Sequence, residues 1–153
     1  MKFDVISASV EDVGSIVSIQ EECDLSEWTA DAYVEEIACR DAITLIARLE
    51  NEVAGFVTGR VIAAEGDAEI YNIGVRGRFQ RAGVGSALLR TFMAKARQRH
   101  ARNIWLDVRE SNRTAIEFYE RHGFAVTGKR VNFYRDPVED AELMVFTVAE
   151  RPC

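Results

Sequence analysis

The chain has 153 residues, of which 48% are hydrophobic and 29% charged, and its formal net charge is −6. This composition is typical of a globular protein and excludes the disordered, collagen-like and disulfide-rich classes. One domain over residues 1–153 is expected, long enough to bury a core without a metal or a disulfide. No apolar run reaches the length of a membrane span or a signal peptide, so the sequence predicts a cytoplasmic protein.

The first part of the chain predicts one strand and two helices. The strand is FDVISA. Ser9, with Asp12 three residues later, has the pattern of a capping box and predicts a helix through about Glu22. A second helix is expected near Thr29, because TADAYVEEIACR carries apolar side chains at helical spacing.

Alternating and β-branched residues then predict three strands in an antiparallel meander. Turn residues at Glu50–Asn51 and Gly66–Asp67 separate them. The three strands are AITLIARLE, NEVAGFVTGRVIAAE and DAEIYNIGV.

Helices and strands alternate in the second half of the chain. From Val84 the apolar residues fall at helical spacing, and NIWLDV is a short, nearly all-apolar strand of the kind that is covered on both faces. NRTAIEFYERHG predicts a helix that Gly123 closes. Two further strands follow, FAVTGKRVNFY and DAELMVFTV. The order β-α-α-β-β-β-α-β-α-β-β predicts a mixed α+β sheet flanked by helices.

The three cysteines, Cys23, Cys39 and Cys153, are odd in number and lie far apart. They form no CxxC pair, and the chain has only two histidines. A structural zinc site needs four such ligands, usually at short spacings. The sequence therefore predicts no metal site, and it predicts thiols that are reduced.

A glycine-rich turn, QRAGVGSALL at residues 80–89, lies between a predicted strand and the helix that starts at Val84. The free N–H groups at a helix N-terminus bind anions, and glycine lets a phosphate approach the main chain. The turn lacks the Lys-Ser/Thr pair of the Walker motif, and Leu88 stands where the dinucleotide fingerprint has its third glycine. It does match the pattern Q/R-x-x-G-x-G/A. A phosphate-binding loop is predicted, with a purely structural turn as the alternative.

Basic residues are concentrated in the same part of the chain. The segment from Tyr71 to Leu106 contains eight Lys/Arg and no Asp/Glu, so the remainder holds 11 basic and 25 acidic residues and carries −14. This asymmetry favours an anionic ligand on an otherwise acidic protein, although a solvated helix face would give the same pattern. No basic stripe with interleaved aromatics is present elsewhere, so direct nucleic-acid binding is not predicted.

Four ordered blocks together resemble the GCN5-related N-acetyltransferase (GNAT) family, and within it the bacterial ribosomal-protein alanine N-acetyltransferases. The blocks are EIYNIGV, QRAGVGSALL, IWLDVRESNRTAIEFYERHGF and RVNFYRDPVEDAELM. The early SEWT is also similar to an aromatic-Ser/Thr element of that branch. The resemblance implies the GNAT fold, an α+β (mixed α/β) architecture with a central, mostly antiparallel seven-stranded sheet and about four helices.

The resemblance also implies acetyl-CoA as cosubstrate and the residues that hold it. The main chain of Ile73, Gly74 and Val75 would pair with the pantetheine arm and polarise the thioester carbonyl. Asn112 would contact the cosubstrate from the start of the next helix. The diphosphate would lie against Arg81, Ala82, Gly83, Val84, Gly85 and Ser86.

Two tyrosines match family positions on the substrate side of the site. Tyr119 matches the general acid, although its spacing from Ala115 and Ile116 also fits a core tyrosine. Tyr134 lies in a segment that resembles the substrate-side hairpin, and it is expected to contact the acceptor peptide.

Asp107 stands where near relatives in this branch carry a glutamate that accepts the proton. Aspartate is one methylene shorter, which reduces its reach by roughly 1 Å. Either a water bridges the gap, or another carboxylate such as Glu69 or Glu139 participates. The structural alternative for Asp107 is an ion pair with a nearby arginine, such as Arg109.

These features predict acetyl transfer from acetyl-CoA to the N-terminal alanine α-amine of a ribosomal protein, by direct attack in a ternary complex. An α-amine with a pKa near 8 needs a weaker base than a lysine near 10.4, and an acidic surface suits a basic protein or peptide tail. The alternatives are a GNAT enzyme for a small-molecule amine or another protein N-terminus, and a non-catalytic coenzyme A-binding module. No membrane partner is predicted.

Overall fold

The computed structural model describes residues 2–25, 27–62 and 64–148, in which the elements follow the predicted order. The strands are β1 (Asp4–Ser7), β2 (Ala42–Leu49), β3 (Glu52–Ile62), β4 (Asp67–Val75), β5 (Asn103–Arg109), β6 (Ala125–Tyr134) and β7 (Glu139–Thr147). The helices are α1 (Val13–Glu22), α2 (Ala30–Ala38), α3 (Val84–Gln98) and α4 (Arg113–Arg121). None of the helices in these ranges is long and apolar enough to cross a membrane.

The seven described strands form one sheet in the order β1-β2-β3-β4-β5-β7-β6, flanked by the four helices. This confirms the predicted mixed α/β sheet. Within it β4 and β5 run parallel, and every other neighbouring pair of described strands is antiparallel. β4 and β5 pair only through Asp67–Glu69 and Asn103–Trp105. Beyond that point the two strands separate, and a cleft opens in the middle of the sheet.

A β-bulge in β4 lies at the edge of this cleft. Thr58 of β3 pairs with Asn72, and the next residue, Gly59, pairs with Ile70. Tyr71 is therefore the extra residue of the bulge. A bulge bends its strand and increases the local twist, which favours the departure of β4 from β5.

Hydrophobic clusters cover both faces of the sheet. On one face, Leu88 and Phe92 of α3 are fully buried in the larger cluster. On the other face, Ile16 of α1 and Tyr33 of α2 pack with Phe56 of β3. Each side chain of this size contributes roughly 1.5–3 kcal/mol when it is fully buried. The two clusters hold the helices whose ends border the cleft.

The first helix begins differently from the prediction. The helix expected from Ser9 starts as a 3₁₀ turn at Val10–Asp12, and α1 follows it. The capping contact itself is confirmed, because the Ser9 N–H donates to the Asp12 carboxylate at 2.8 Å.

The prediction that β5 is covered on both faces is wrong. Ile104, Leu106 and Val108 are buried, but Trp105 and Asp107 on the opposite face keep part of their surface exposed. The physical reason is the position of the first two helices, which pack mainly on β2, β3 and β4 rather than on β5. The open face of β5 therefore borders the cleft.

Candidate active site

The cleft between the separated ends of β4 and β5 is a cavity of about 150 Å³. Residues 23–25 after α1 and residues 70–72 of β4 form one side of its lining, and positions on β5 and α4 form the other. Five of the residues predicted for the site line this cavity: Ile73, Asp107, Asn112, Tyr119 and Tyr134.

The main chain of β4 presents hydrogen-bonding groups to the cleft. The Arg76 N–H donates to the Ala54 carbonyl at 2.9 Å, so the antiparallel ladder pairs Gly74 with β3. By the same alternation, the main-chain groups of Ile73 and Val75 point away from β3. Because β5 has separated at this level, the N–H of Ile73 is directed at the cleft, where it can donate to a carbonyl oxygen.

The N-terminus of α3 lies beside the end of β4. Gly83 precedes the helix in the left-handed conformation with φ +84°, and no side chain in the described ranges caps the first N–H groups. A Cβ at Gly83 would have no atom within 4 Å, whereas one at Gly85 would lie 3.6 Å from the Val75 side chain. Residues 81–83 are exposed, and residues 84–86 form the first helical turn. An anion can therefore reach these amides.

Part of the basic segment is neutralised by the protein itself. Arg76 pairs with Glu22, Arg78 pairs with Glu52, and the guanidinium of Arg99 donates to main-chain carbonyls. The side chains of the other five form no ion pair or hydrogen bond within the described ranges: Arg81, Arg90, Lys95, Arg97 and Arg102. Arg81 therefore leaves an unpaired positive charge in the loop before α3, and the other four unpaired side chains lie on α3 or just after it.

Tyr119 belongs to the core and to the cleft at the same time. Tyr119 lies on α4, and Asn112 caps this helix: Asn112 Oδ1 accepts the Ala115 N–H at 3.1 Å. The Tyr119 ring packs 5.8 Å from Phe124, between ring centroids, and the residue is buried. Its hydroxyl has no hydrogen-bond partner among the residues that the structure describes. Burial raises the pKa of Tyr119 above its usual value, so the phenol at the cleft is protonated.

The partner of Asp107 differs from the prediction. Asp107 Oδ1 accepts a hydrogen bond from Arg130 Nε at 2.8 Å, so Asp107 does pair with an arginine, as the structural alternative has it, but the partner is Arg130 and not Arg109. Arg109 is directed instead at the turn between β6 and β7. There its guanidinium donates to Glu139 at 3.2 Å and lies 4.5 Å from the centre of the Tyr134 ring. This contact fixes one wall of the cleft.

Neither of the two alternative carboxylates lines the described cleft. Glu139 accepts the Ser111 N–H at 2.7 Å, and this bond, together with Arg109, lowers its pKa. Glu139 thereby ties the loop after β5 to the start of β7. Glu69 lines a separate cavity of about 140 Å³, where burial and the charge of Asp107 raise its pKa.

Sequence reasoning missed the segment that follows α1. Residues 23–25 line the cleft, and the Trp28 ring packs 5.6 Å from Tyr71 at the bulge of β4. The SEWT element was the available signal for this segment. Its Ser26 lies outside the described residues, as does Cys153.

Comparison with known proteins gives consistent results. Residues 13–124 match the Acetyltransferase (GNAT) family. The ribosomal protein bS18-alanine N-acetyltransferase of Escherichia coli (strain K12) is 36% identical over 100 residues, which are 64% of this chain and 66% of that protein. A Bacillus subtilis (strain 168) protein described as a candidate enzyme of the same kind is 30% identical over 92% of this chain and 93% of its own. The crystal structure of the Escherichia coli ribosomal-protein-S18-alanine N-acetyltransferase superposes with a TM-score of 0.87 at 25% identity, covering 99% of this chain and 97% of that one.

Proposed function

This chain belongs to the acetyltransferase (GNAT) family, and from that premise we propose that it acetylates the N-terminal alanine α-amine of a ribosomal protein with acetyl-CoA. The observation that carries the proposal is the cleft where β4 and β5 separate. A carboxylate, Asp107, and a buried phenol, Tyr119, line this cavity beside the main-chain edge of β4. Acyl transfer to an amine needs these three groups: a proton acceptor, a proton donor and a hydrogen-bond donor to the carbonyl.

The open N-terminus of α3 fits the diphosphate of the proposed cosubstrate. We assign diphosphate binding to residues 81–86, pantetheine pairing to the main chain of residues 73–75, and a further contact to Asn112. The two segments adjoin each other, since a Cβ at Gly85 would lie 3.6 Å from Val75. Bound acetyl-CoA would supply the acetyl thioester and a thiol leaving group.

In the proposed reaction Asp107 accepts the proton of the attacking amine, directly or through water. The amine attacks in a ternary complex, and the N–H of Ile73 donates to the carbonyl oxygen that gains charge. Tyr119 then donates its proton to the departing sulfur. This transfer leaves Tyr119 as a phenolate, which its burial disfavours, so Tyr119 regains a proton while Asp107 releases the proton that it took from the amine.

An aspartate as proton acceptor suits an α-amine substrate better than a lysine substrate. At pH 7.5 about a quarter of an α-amine with a pKa near 8 is neutral, against about one in a thousand for a lysine near 10.4. A single aspartate is a sufficient base for an α-amine, because about a quarter of this acceptor is already neutral and needs no deprotonation before it attacks.

Two observations support a ribosomal protein as the acceptor. Two relatives bear names that describe acetylation of the alanine of ribosomal protein bS18. Outside the segment from Tyr71 to Leu106 the chain carries −14, and this charge would attract a basic peptide. We therefore expect the reaction to take place in the cytoplasm, where ribosomal proteins are made.

The test is thiol release from acetyl-CoA with three acceptors. They are a basic peptide that begins with alanine, the same peptide with a blocked N-terminus and an internal lysine, and a small polyamine. The proposal predicts turnover with the first alone. Turnover with the polyamine would favour a small-amine enzyme, and tight coenzyme binding without turnover would favour the non-catalytic module. Mass spectrometry of ribosomal-protein N-termini from cells that lack the gene identifies the acceptor.

A further inference from the structure

A buried hydrogen-bond network connects the segment after α1 to the bulge of β4. The Tyr33 hydroxyl of α2 donates to Gln20 Oε1 at 2.5 Å, and the side-chain amide of Asn72 donates to the Tyr33 hydroxyl at 3.1 Å. Gln20 also holds both main-chain groups of Trp28, since its Nε2 donates to the carbonyl and its Oε1 accepts the N–H, each at 2.9 Å. The network therefore runs from Trp28 to Asn72, which lines the cleft.

Burial makes this network rigid. Gln20, Tyr33 and Asn72 are 3%, 0% and 6% exposed, so water does not compete for their hydrogen bonds. Removing one member of such a network leaves its neighbours unsatisfied in a medium of low dielectric constant. Burial also raises the pKa of Tyr33 to about 12, and the hydroxyl therefore remains a donor at neutral pH.

The network holds the chain after α1, of which residues 23–25 and 27–29 are described and are called the wall segment here; residues 23–25 line the cleft on the β4 side. Residues 23–25 line the cavity, whereas Asp107 and Tyr119 belong to β5 and α4. The Trp28 ring lies 5.2 Å from the Tyr33 ring and 5.6 Å from the Tyr71 ring. The wall is thus tied by hydrogen bonds and ring packing to α2 and to the bulge, and Cys23 Sγ also donates to the Val75 carbonyl at the end of β4, at 3.2 Å.

We propose that Gln20, Tyr33 and Asn72 are positioning residues that hold the wall segment, residues 23–25 and 27–29, against which the first residue of the acceptor docks. This inference rests on the proposed acetyltransferase function. None of the three residues transfers a reacting proton; each acts through the position of the wall. A displaced wall weakens acceptor binding most. Cosubstrate binding changes less, because the proposed diphosphate site lies at the N-terminus of α3 and the wall contacts the proposed pantetheine site through Cys23 and Val75.

The kinetic test is Tyr33→Phe, which removes one hydroxyl from the network. The KM for an alanine-initiated peptide should rise at least about tenfold, because the variant loses both hydrogen bonds of the hydroxyl, to Gln20 and from Asn72. The kcat should stay within about twofold of wild type, and the KM for acetyl-CoA should rise by less than about threefold, because Cys23 of the wall contacts the proposed pantetheine site at Val75. Thr44→Val is the matched control, because it breaks a buried hydroxyl pair with Thr58 at 2.7 Å and removes no side-chain hydrogen bond of Gln20 or Tyr33. It should leave both KM values unchanged.

Amide hydrogen exchange of the wall segment tests the inference without an activity assay. Tyr33→Phe and Gln20→Met should both accelerate exchange in this segment about tenfold, and Thr44→Val should not. Exchange equal to wild type in both network variants overturns the inference, as does an unchanged acceptor KM in Tyr33→Phe. If Tyr33→Phe does not fold, Gln20→Met carries the kinetic test. If the wild type fails to acetylate the peptide, the proposed function is wrong, and exchange still decides whether the network holds the wall.

Discussion

Asp107 and Arg130 form an ion pair that spans β7, with Asp107 on β5, Arg130 on β6 and 2.8 Å between Oδ1 and Nε. The Asp107 side chain is 13% exposed and the Arg130 side chain 50%. Because a guanidinium is always charged, the carboxylate at the cleft has a constant partner and a defined orientation. Oδ2 has no partner in the described part of the chain and can accept a proton.

Asp107→Asn should lower kcat/KM for an alanine-initiated peptide about 100-fold, because an amide cannot accept a proton. Asp107→Glu keeps the carboxylate and should retain at least about a tenth of the wild-type value. Steady-state kinetics with both variants makes the comparison, and coenzyme A affinity by calorimetry serves as the control.

The fold should tolerate these changes, since an ion pair with a half-exposed arginine contributes at most about 1 kcal/mol. If Asp107→Asn keeps its activity within about threefold of wild type, the proton acceptor is another group. Glu69 would then be the next residue to substitute, because its carboxylate lies close enough for Asp107 to raise its pKa.

Tyr119→Phe should reduce kcat by about 100-fold and leave the affinity for coenzyme A unchanged, because the variant loses only the proton donor. The free energy of unfolding should change little, since the hydroxyl has no hydrogen-bond partner among the described residues. Turnover at saturating substrates, coenzyme titration and urea unfolding measure the three quantities. If turnover is undiminished, Tyr119 is a core residue and is not the proton donor.

The order of the elements could be predicted because each depends on nearby residues. The apolar spacing from Val84, the cap at Thr29 and the closing Gly123 all operate within a few positions of the chain, and all three are present in the structure. The glycine loop before α3 could be identified for the same reason, since its motif is continuous.

The cleft could not be predicted, because it depends on strand register. The parallel start of β4 and β5 is fixed by contacts such as the Trp105 indole donating to Asp67 at 3.3 Å, across 38 positions. The bulge at Tyr71 is defined only by its pairing with β3. The partner of Asp107 likewise lies 23 positions away on another strand, whereas the sequence suggested the nearest arginine, Arg109.

Gly83→Ala should raise the KM for acetyl-CoA at least tenfold, by roughly 1.4 kcal/mol of lost binding. The structure has room for the new methyl group, but it would project where the proposed diphosphate approaches the amides. The left-handed φ of +84° adds roughly 1–2 kcal/mol of strain to the folded state. Kinetics at varied acetyl-CoA, with the peptide saturating, tests the expectation.

Gly66→Ala separates strain from the loss of the proposed binding surface. Gly66 also has a left-handed φ of +71°, and its nearest neighbours are the guanidinium atoms of Arg102, which can move. This variant should be destabilised to a similar degree while its KM for acetyl-CoA stays at the wild-type value. If Gly83→Ala and Gly66→Ala have the same KM for acetyl-CoA, the loop at Gly83 does not bind the cosubstrate.

Glu139→Gln should make stability depend less on pH. Glu139 accepts the Ser111 N–H and pairs with Arg109, and these contacts lower its pKa in the folded state. A lowered folded pKa stabilises the protein above the unfolded value of roughly 4.3, and this contribution disappears as the pH falls through the folded pKa. The variant should therefore be less stable than wild type at pH 7, and the difference should shrink steadily below about pH 4.

Urea unfolding at neutral pH and at two acidic values measures that difference, with Glu35→Gln as the control. Glu35 is exposed on α2 and forms no ion pair within the described ranges, so its substitution should change the unfolding free energy little at any of the three. A difference for Glu139→Gln that is constant with pH would mean that the pKa of Glu139 is the same in the folded and unfolded states, so that the charge of the carboxylate does not stabilise the fold. The link between the loop at Ser111 and the start of β7 would then depend on hydrogen bonding alone, and the charge of Arg109 would serve only to hold the Tyr134 ring, 4.5 Å away.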